Sequence, residues 1–520
     1  MKHPKALEPF TLFLTVVTAV LGAIIGMQIL LTLGITPSTS IIGALIAVVL
    51  ARIPIQVFKK YRSVHRQNLI QTSISSATFG AANSLLIPIG VPFLMGKTEL
   101  ILPMLIGATL AMFVDAALLY KLFDSKIFPA SGTWPLGVAT AESIVAGDQG
   151  GRRAGLLGVG VTGGLVGSFL GIPMSAFGVA FIGNIWALMM FGVGMLVSGY
   201  SIPLFGVDLN KLYIPHGFMI GAGLVAFIQV FLVIVKKKEN PGEKEGATTT
   251  KSDRDTSRAL KFGYLAYLGI VLVIAVTGGL ITHMSLGMFL VYLLFAAIAA
   301  FAHELIVGIA AMHSGWFPAF AVALITLVVG ILIGFPPVAL GLLVGFSAST
   351  GAAFADMGYD LKTGYLLRGN GKDPEFELAG RRQQLITGMI AFGIAMLAVL
   401  FTYQGFFAQN MVPPVDKVYV ATIEAGVSGN TAWTLLMWAI PGALLQWIGG
   451  PGRQLGVLFS TGLLLVNPAA GWAVLAGILI RFTVLKWKGK GAEAPMSIMA
   501  AGFIAGDALY SFFNSLFKMK

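Results

Sequence analysis

Asn68, Gln71, Thr72, Ser75 and Ser76 recur at i, i+3, i+4, i+7 and i+8 within QNLIQTSISSATFGAANSLL, residues 67–86. That spacing puts five hydrogen-bonding side chains on one face of an α-helix. Asn83 falls within about 60° of the same face at ~100° per residue. The opposite face, with Leu69, Ile70, Ile74, Ala77 and Ala81, is apolar. Such a face can recognise a polar solute through hydrogen bonds, or it can bond to neighbouring helices. Interhelical bonds of this kind average only about 0.6 kcal/mol. Five polar groups followed by Asn83 exceed what helix packing ordinarily needs, so lining a solute path is the preferred reading.

Acidic residues inside apolar stretches are the next candidates: Asp115, Glu142, Asp356, Glu424 and Asp507. A charged Asp at the centre of a membrane helix costs about 2.5–3.5 kcal/mol, so such residues mark function or sit near an interface. Glu142 lies in an interrupted segment with Thr133, Thr140 and Ser143, where a carboxyl could take up and release a proton. Asp356, beside Ser347, Ser349 and Thr350, is the second candidate for proton coupling. Its alternative is a solvated helix end near Asp360 and Lys362.

Other patterns exclude chemistry. His303-Glu304 begins a zinc-protease motif, but the second His would fall at Val307, so no zinc site is expected. A structural role, or a proton relay with His313, remains for the pair. Gly158, Gly160 and Gly163 satisfy GxGxxG without a preceding strand and are read as packing glycines. Ser347 and Ser428 stand in Gly-x-Ser contexts, and all six histidines (3, 65, 216, 283, 303, 313) precede them. No second motif supports an intramembrane serine hydrolase. There is no P-loop, so ATP is not hydrolysed on this chain. No catalytic residue, metal or cofactor is expected.

The elements that position these residues follow from composition. Of 520 residues, 57% are hydrophobic and 11% charged, against roughly 25% charged in globular chains. Mean hydropathy is +0.87. Apolar runs of about 20 residues recur from end to end, which predicts an all-α, polytopic membrane bundle. The net charge of 34 − 22 = +12 gathers between apolar runs, as cytoplasmic loops do. A lipid bilayer is therefore the expected partner, and nucleic acid is not. There is no cysteine, so disulfides and thiol chemistry are excluded. The 65 glycines, some spaced by four as in Gly163, Gly167 and Gly171, Gly330 and Gly334, or Gly341 and Gly345, favour close helix packing.

Hydrophobic segments are expected at about 10–33, 38–58, 68–95, 99–121, 154–171, 176–199, 216–235, 261–282, 286–312, 315–334, 337–357, 384–406, 430–448, 453–467, 469–486 and 495–516. That gives 14–16 segments, some of them broken. Basic residues Lys59, Lys60, Arg62 and Arg66 place the N-terminus and the 59–66 loop in the cytoplasm. Lys121, Lys126, Arg152 and Arg153 fall on the same side if 129–149 is re-entrant. Parity to the linker then requires one further run, such as 176–199, to be broken, doubled or partly re-entrant. The charged stretch 236–258 reads as a cytoplasmic linker between membrane halves 1–235 and 259–520. The halves echo one another weakly: 73–86 resembles 346–361, and 131–148 resembles 494–511. Repeats with interrupted helices suit transporters.

At these residues the sequence resembles the oligopeptide transporter (OPT) superfamily, which includes the yellow-stripe-like metal-chelate carriers. The resemblance extends across most of the chain. TPSTSIIGALIAVVLARI (36–53) looks like the second helix of that family, and NLIQTSISSATFGAANSL (68–85) like its Asn-x-x-Gln-Thr helix. FPASGTWPLGVATAESIVAG (128–147) is similar to the family's Pro-x-Gly-Thr segment, with an insertion between Thr133 and Ala141. DMGYDLKTGYLLRG (356–369) and RRQQLITGMI (381–390) resemble its Asp-Leu-Lys-Thr-Gly-Tyr and Arg-x-Gln-Gln segments. Arg66 and Gln67 depart from the acidic residue often found before the first motif, and 373–377 lengthens the loop after the last.

The resemblance implies a secondary transporter of small peptides or metal chelates in a cell (inner or plasma) membrane, coupled to protons in many members, and free to form oligomers. On this reading Asn68, Gln71, Thr72, Ser75, Ser76, Asn83, Thr133 and Glu142 meet the solute. Glu142 and Asp356 carry protons. Asp360, Lys362, Thr363 and Tyr365 shape a gate.

Overall fold

Apolar segments that must satisfy their own backbone in lipid fold as helices. The computed structural model, which describes residues 3–33, 39–52, 56–235, 250–315, 319–426 and 429–517, has no strand among those residues. In chain order the helices of the first half are α1 (Pro9–Leu33), α2 (Thr39–Arg52), α3 (Val64–Phe79), α4 (Ile87–Leu94), α5 (Ile101–Leu122), α6 (Pro135–Gln149), α7 (Gly151–Phe169), α8 (Met174–Val179), α9 (Ile185–Phe205) and α10 (Ile214–Val235). The second half holds α11 (Asp253–Thr277), α12 (Leu286–Ser314), α13 (Ala319–Ile333), α14 (Pro337–Ser349), α15 (Ala352–Leu367), α16 (Pro374–Ala408), α17 (Pro414–Ala425), α18 (Gly429–Arg453), α19 (Leu455–Leu465), α20 (Pro468–Lys488) and α21 (Glu493–Phe517).

Among the described residues, nine stretches of helix are long and apolar enough to cross a membrane, and four further apolar helices are shorter. Each hydrophobic segment expected from the sequence contains helix. The number of full-length spans is smaller partly because some apolar runs are divided. Segment 176–199 is divided between α8 and α9, and α9 alone is long and apolar enough to cross a membrane. Helix α6 has 15 residues, about 22 Å at 1.5 Å per residue, short of a hydrocarbon core of about 30 Å.

Two spans are interrupted at their centres. Val64–Leu94 comprises α3, a π-helical turn at Gly80–Leu86, and α4. Pro337–Leu367 comprises α14, a break at Thr350–Gly351, and α15. Each is 31 residues long, and 78% and 94% of an 18-residue apolar stretch within them is buried, against 28–61% for the other seven. Apolar runs with no solvated face belong at the middle of a bundle. These two hold both members of the first internal echo, 73–86 and 346–361.

The second interrupted span corrects two expectations. The helix runs on to Leu367, so Asp356 and the DLKT stretch after it are buried within a helix and are not a solvated helix end. Helix α16 begins at Pro374, so the acidic stretch 373–377 is an N-cap and first turn, with Asp373 accepting from the Phe376 amide at 3.1 Å. Carboxylates stabilise that end of a helix.

The two halves share one core. Helix α3 packs on α15 and α16, α10 on α18, α9 on α19, and α7 on α21. Residues 236–249 of the expected linker lie outside the described residues, and its last residues, from Asp253, are already helical behind a Ser252 capping box. Glycines also bring α7 and α21 together, in a register different from the one expected. A Cβ on Gly164 would lie 2.4 Å from the Phe503 carbonyl oxygen, and one on Gly506 2.3 Å from that of Val161, whereas Gly171 faces open space.

Candidate functional site

Helix α3 is buried at every residue from Gln67 to Phe79, and its polar groups divide between two neighbours. Ser73 donates to the Thr15 carbonyl at 2.7 Å, and Thr78 to the Gly22 carbonyl at 3.0 Å. Both acceptors are on α1. Gly22 and Gly26 permit this contact, since a Cβ on either would sit within 2.7 Å of an α3 carbonyl oxygen. On this side the polar groups bind helices together, as small and hydroxylated residues do in lipid.

The face with the helical spacing meets α15 and α16. Gln71 donates through Nε2 to Asp360 Oδ1 at 2.6 Å, and Ser76 Oγ to Asp360 Oδ2 at 3.4 Å. Ser75 Oγ donates to Asp356 Oδ1. Gln71 and Ser75 rise by four residues while Asp360 and Asp356 fall by four. The helices are therefore antiparallel at this contact, with matched i, i+4 faces. Asn68 Nδ2 donates to Gln71 Oε1 at 3.0 Å, which holds the Gln71 amide nitrogen toward Asp360. From α2, Ser40 Oγ lies 2.6 Å from Ser75 Oγ and 3.5 Å from Asp356 Oδ1. From α16, Gln384 Nε2 donates to the Asp360 carbonyl at 2.6 Å and to Thr72 Oγ1 at 3.4 Å. Asp356 Oδ2 has no hydrogen-bond partner. Both carboxyls are fully buried, and neither takes part in an ion pair among the described residues. Enclosed carboxylates without a counter-cation are costly, so a proton or a bound cation must accompany them.

The reverse side of α15 holds the segment before α6. Lys362 Nζ donates to the Ala130 carbonyl at 2.8 Å, and Thr363 Oγ1 to the Gly137 carbonyl at 3.0 Å. A Cβ on Gly137 would lie 2.7 Å from the Tyr359 carbonyl oxygen, so glycine lets the two backbones touch. Thr133 Oγ1 donates to the Met312 carbonyl, as does the Trp134 amide at 2.8 Å. The Trp134 ring sits fully buried beside Phe123, Phe128 and Tyr359. Tyr365, half-buried, lies under Lys362 with Nζ 5.5 Å from its ring.

The residues expected to form one site thus fall into groups. Asn68, Gln71, Thr72, Ser75, Ser76, Asp356 and Asp360 come together. Lys362 and Thr363 clamp residues 130–137 and do not join the acids, and Thr133 bonds α12. Asn83 is half-buried in the π-helical turn, a feature that often marks functional positions. Glu142 is part-exposed and paired with Arg153 at 3.1 Å. That pairing turns it toward the start of α7, so no hydrogen bond links it to the α3 face. Asp356 is no solvated helix end, because α15 continues beyond it inside the bundle. Asp507 caps α8, accepting from Ser168 Oγ at 2.5 Å and the Ser175 amide at 2.9 Å, and Glu424 is exposed.

Sequence reasoning missed Ser40, Gln384, Arg368 and Glu377. Ser40 and Gln384 both lie in stretches that carry the family resemblance, which was the available signal. Arg368 Nη1 donates to Gln384 Oε1 at 2.8 Å, and Arg368 Nε to Glu377 Oε2 at 2.7 Å. Arg381 Nε donates to Glu377 Oε1 at 2.7 Å. This buried ionic group fixes the turn between α15 and α16 and, through Gln384, the position of Asp360. Ser347 Oγ lies 3.3 Å from His303 Nδ1, but Thr350 Oγ1 shares that nitrogen at 3.2 Å and every member is buried. Ser428 lies outside the described residues. No group of three or more His, Asp or Glu among the described residues could hold a metal ion.

A protein-family model described as OPT oligopeptide transporter protein matches residues 9–235 and 169–518, which together span most of the chain. No curated protein matches it.

Proposed function

Because the chain belongs to the OPT oligopeptide transporter family, and is therefore a multi-pass membrane transporter and not an enzyme, we propose that it carries small peptides or metal chelates by alternating access, driven by protons. The solute binds between α3 and α15. The amides of Asn68 and Gln71 and the hydroxyls of Thr72, Ser75 and Ser76 meet its carbonyl and carboxylate oxygens. Asp356 and Asp360 meet its ammonium group, and a proton on these acids replaces the ammonium when the site is empty. The N-terminus and the 236–258 stretch face the cytoplasm.

One observation carries this reading. Two carboxyls one helical turn apart are sealed from water with hydrogen-bond donors and, among the described residues, no counter-cation. A zwitterionic solute supplies the missing positive charge and takes over the hydrogen bonds that α3 and α15 now make to each other. Separation of the two helices then opens the site.

Purified protein in liposomes tests this. Labelled di- to tetrapeptides and metal chelates are expected to accumulate when a pH gradient is imposed. Gln71→Ala removes the amide that donates to Asp360, and it is expected to lower uptake several-fold. If nothing in a broad panel of such solutes moves, or if accumulation is the same with and without the gradient, the substrate class or the coupling is wrong.

A further inference from the structure

A second pair of acids lies at the break between α14 and α15, away from the α3 face. Asp115 of α5 accepts from the Tyr267 hydroxyl at 2.5 Å through Oδ1 and from the Gly351 amide at 2.8 Å through Oδ2. Glu304 of α12 is fully buried, and neither of its carboxyl oxygens has a hydrogen-bond partner. It stands one turn before Val307 on α12, and the Val307 side chain packs on Gly351, 3.0 Å from where a Cβ there would lie. The Tyr267 hydroxyl has one hydrogen, already given to Asp115. Its oxygen can still accept.

The titratable groups here are Asp115 from α5, Tyr267 from α11, and Glu304 and His303 from α12. His303 directs Nδ1 to Ser347 and Thr350, and α13 contributes the Thr326 hydroxyl. No ion pair among the described residues includes Asp115 or Glu304. An enclosed carboxylate with neither partner nor counter-charge is strongly disfavoured. A proton on Glu304 removes that cost and gives it a hydrogen to donate to the Tyr267 oxygen.

We propose that Glu304, Tyr267 and Asp115 form a buried proton-binding site whose occupancy sets the hinge at Thr350–Gly351. The inference rests on the transporter reading above and names a site separate from the solute face. A second proton entering at Glu304 displaces the first, which passes to the Tyr267 oxygen as the phenolic proton passes to Asp115 Oδ1, so that Glu304 stays neutral and the site holds one proton more. One O–H bond breaks and one forms at each transfer, and no electrons change hands between residues. Asp115 becomes neutral, and its bond to the Gly351 amide loses its charge assistance. Gly351 stands at φ +88°, a conformation that favours glycine, and it joins α14 to α15. Asp356 and Asp360 lie five and nine residues beyond it, so rotation at this joint moves both against α3.

Infrared difference spectroscopy of the full-length protein across pH, with no solute present, tests the site. The wild type is expected to show a carboxylic-acid C=O band that titrates, Glu304→Gln to lose it, and Tyr267→Phe to shift its frequency. The same band in Glu304→Gln and wild type overturns the proposal. Should Glu304→Gln fail to fold, an unshifted band in Tyr267→Phe overturns it. In liposomes, Glu304→Gln is expected to lose stimulation of uptake by a pH gradient. If the wild type moves no tested solute, the substrate reading fails while the infrared result still decides this site.

Discussion

Asp360→Asn is expected to raise KM for free-amine peptides by about 10- to 100-fold, since a hydrogen bond to a charged group is worth about 1.5–3 kcal/mol and each 1.4 kcal/mol is tenfold. The side chain accepts from Gln71 and Ser76 and belongs to a buried acid pair. Asparagine keeps the volume but cannot carry the charge that faces a solute ammonium, and one of its two positions becomes a donor. Turned toward Ser76, that amide nitrogen reverses the bond, with the hydroxyl accepting; turned toward Gln71 Nε2, it loses the bond from Gln71. N-acetylated peptides lack the ammonium, so their uptake should differ far less between wild type and variant. Liposome uptake of matched free and acetylated peptides measures this. Equal effects on both would show that Asp360 supports the fold without meeting the amine.

Glu377→Ala should be the most destabilising single change at the other end of the site. Glu377 accepts from Arg368 at 2.7 and 3.0 Å and from Arg381 at 2.7 Å. All three side chains are at most 1% exposed. Removing the carboxylate strands two guanidinium groups in the interior, with Arg381 keeping only Asp124 at 3.3 Å as an acidic partner. Breaking a buried ion pair from one side costs about 3–5 kcal/mol. A clear fall in thermal stability in detergent is therefore expected. Glu375 stands exposed in the same first turn, and Glu375→Ala should change stability by no more than about 0.5 kcal/mol. Similar behaviour of the two variants would contradict the assigned role of the ionic group.

Much of this arrangement was legible in the chain. Apolar runs gave the helices, because lipid leaves the backbone few alternatives. Spacing gave the polar face of α3, since an α-helix fixes which residues share a side. Spacing could not say what that face meets. Asp356 and Asp360 are nearly 300 positions away from it, and only the antiparallel packing of α3 on α15 sets Gln71 against one acid and Ser75 against the other. Glu142 shows the converse. Its small, polar surroundings suggested a shared site, yet a rotation of α6 sends its carboxyl to Arg153, and a single helix does not encode its own rotation. Glu304 looked structural beside His303 for the same reason: Asp115 and Tyr267 reach it from other helices.

The central claim is that the α3–α15 contact opens to water during transport. The chain has no native cysteine, so thiols placed at Gln71, Ser75 or Ser76 would be the only ones present. All three positions are fully buried in this conformation. Each should resist a membrane-impermeant maleimide in resting liposomes and react once a transported solute and a pH gradient are supplied. If every one of these thiols stays unreactive under all conditions, the face is sealed packing and the account fails.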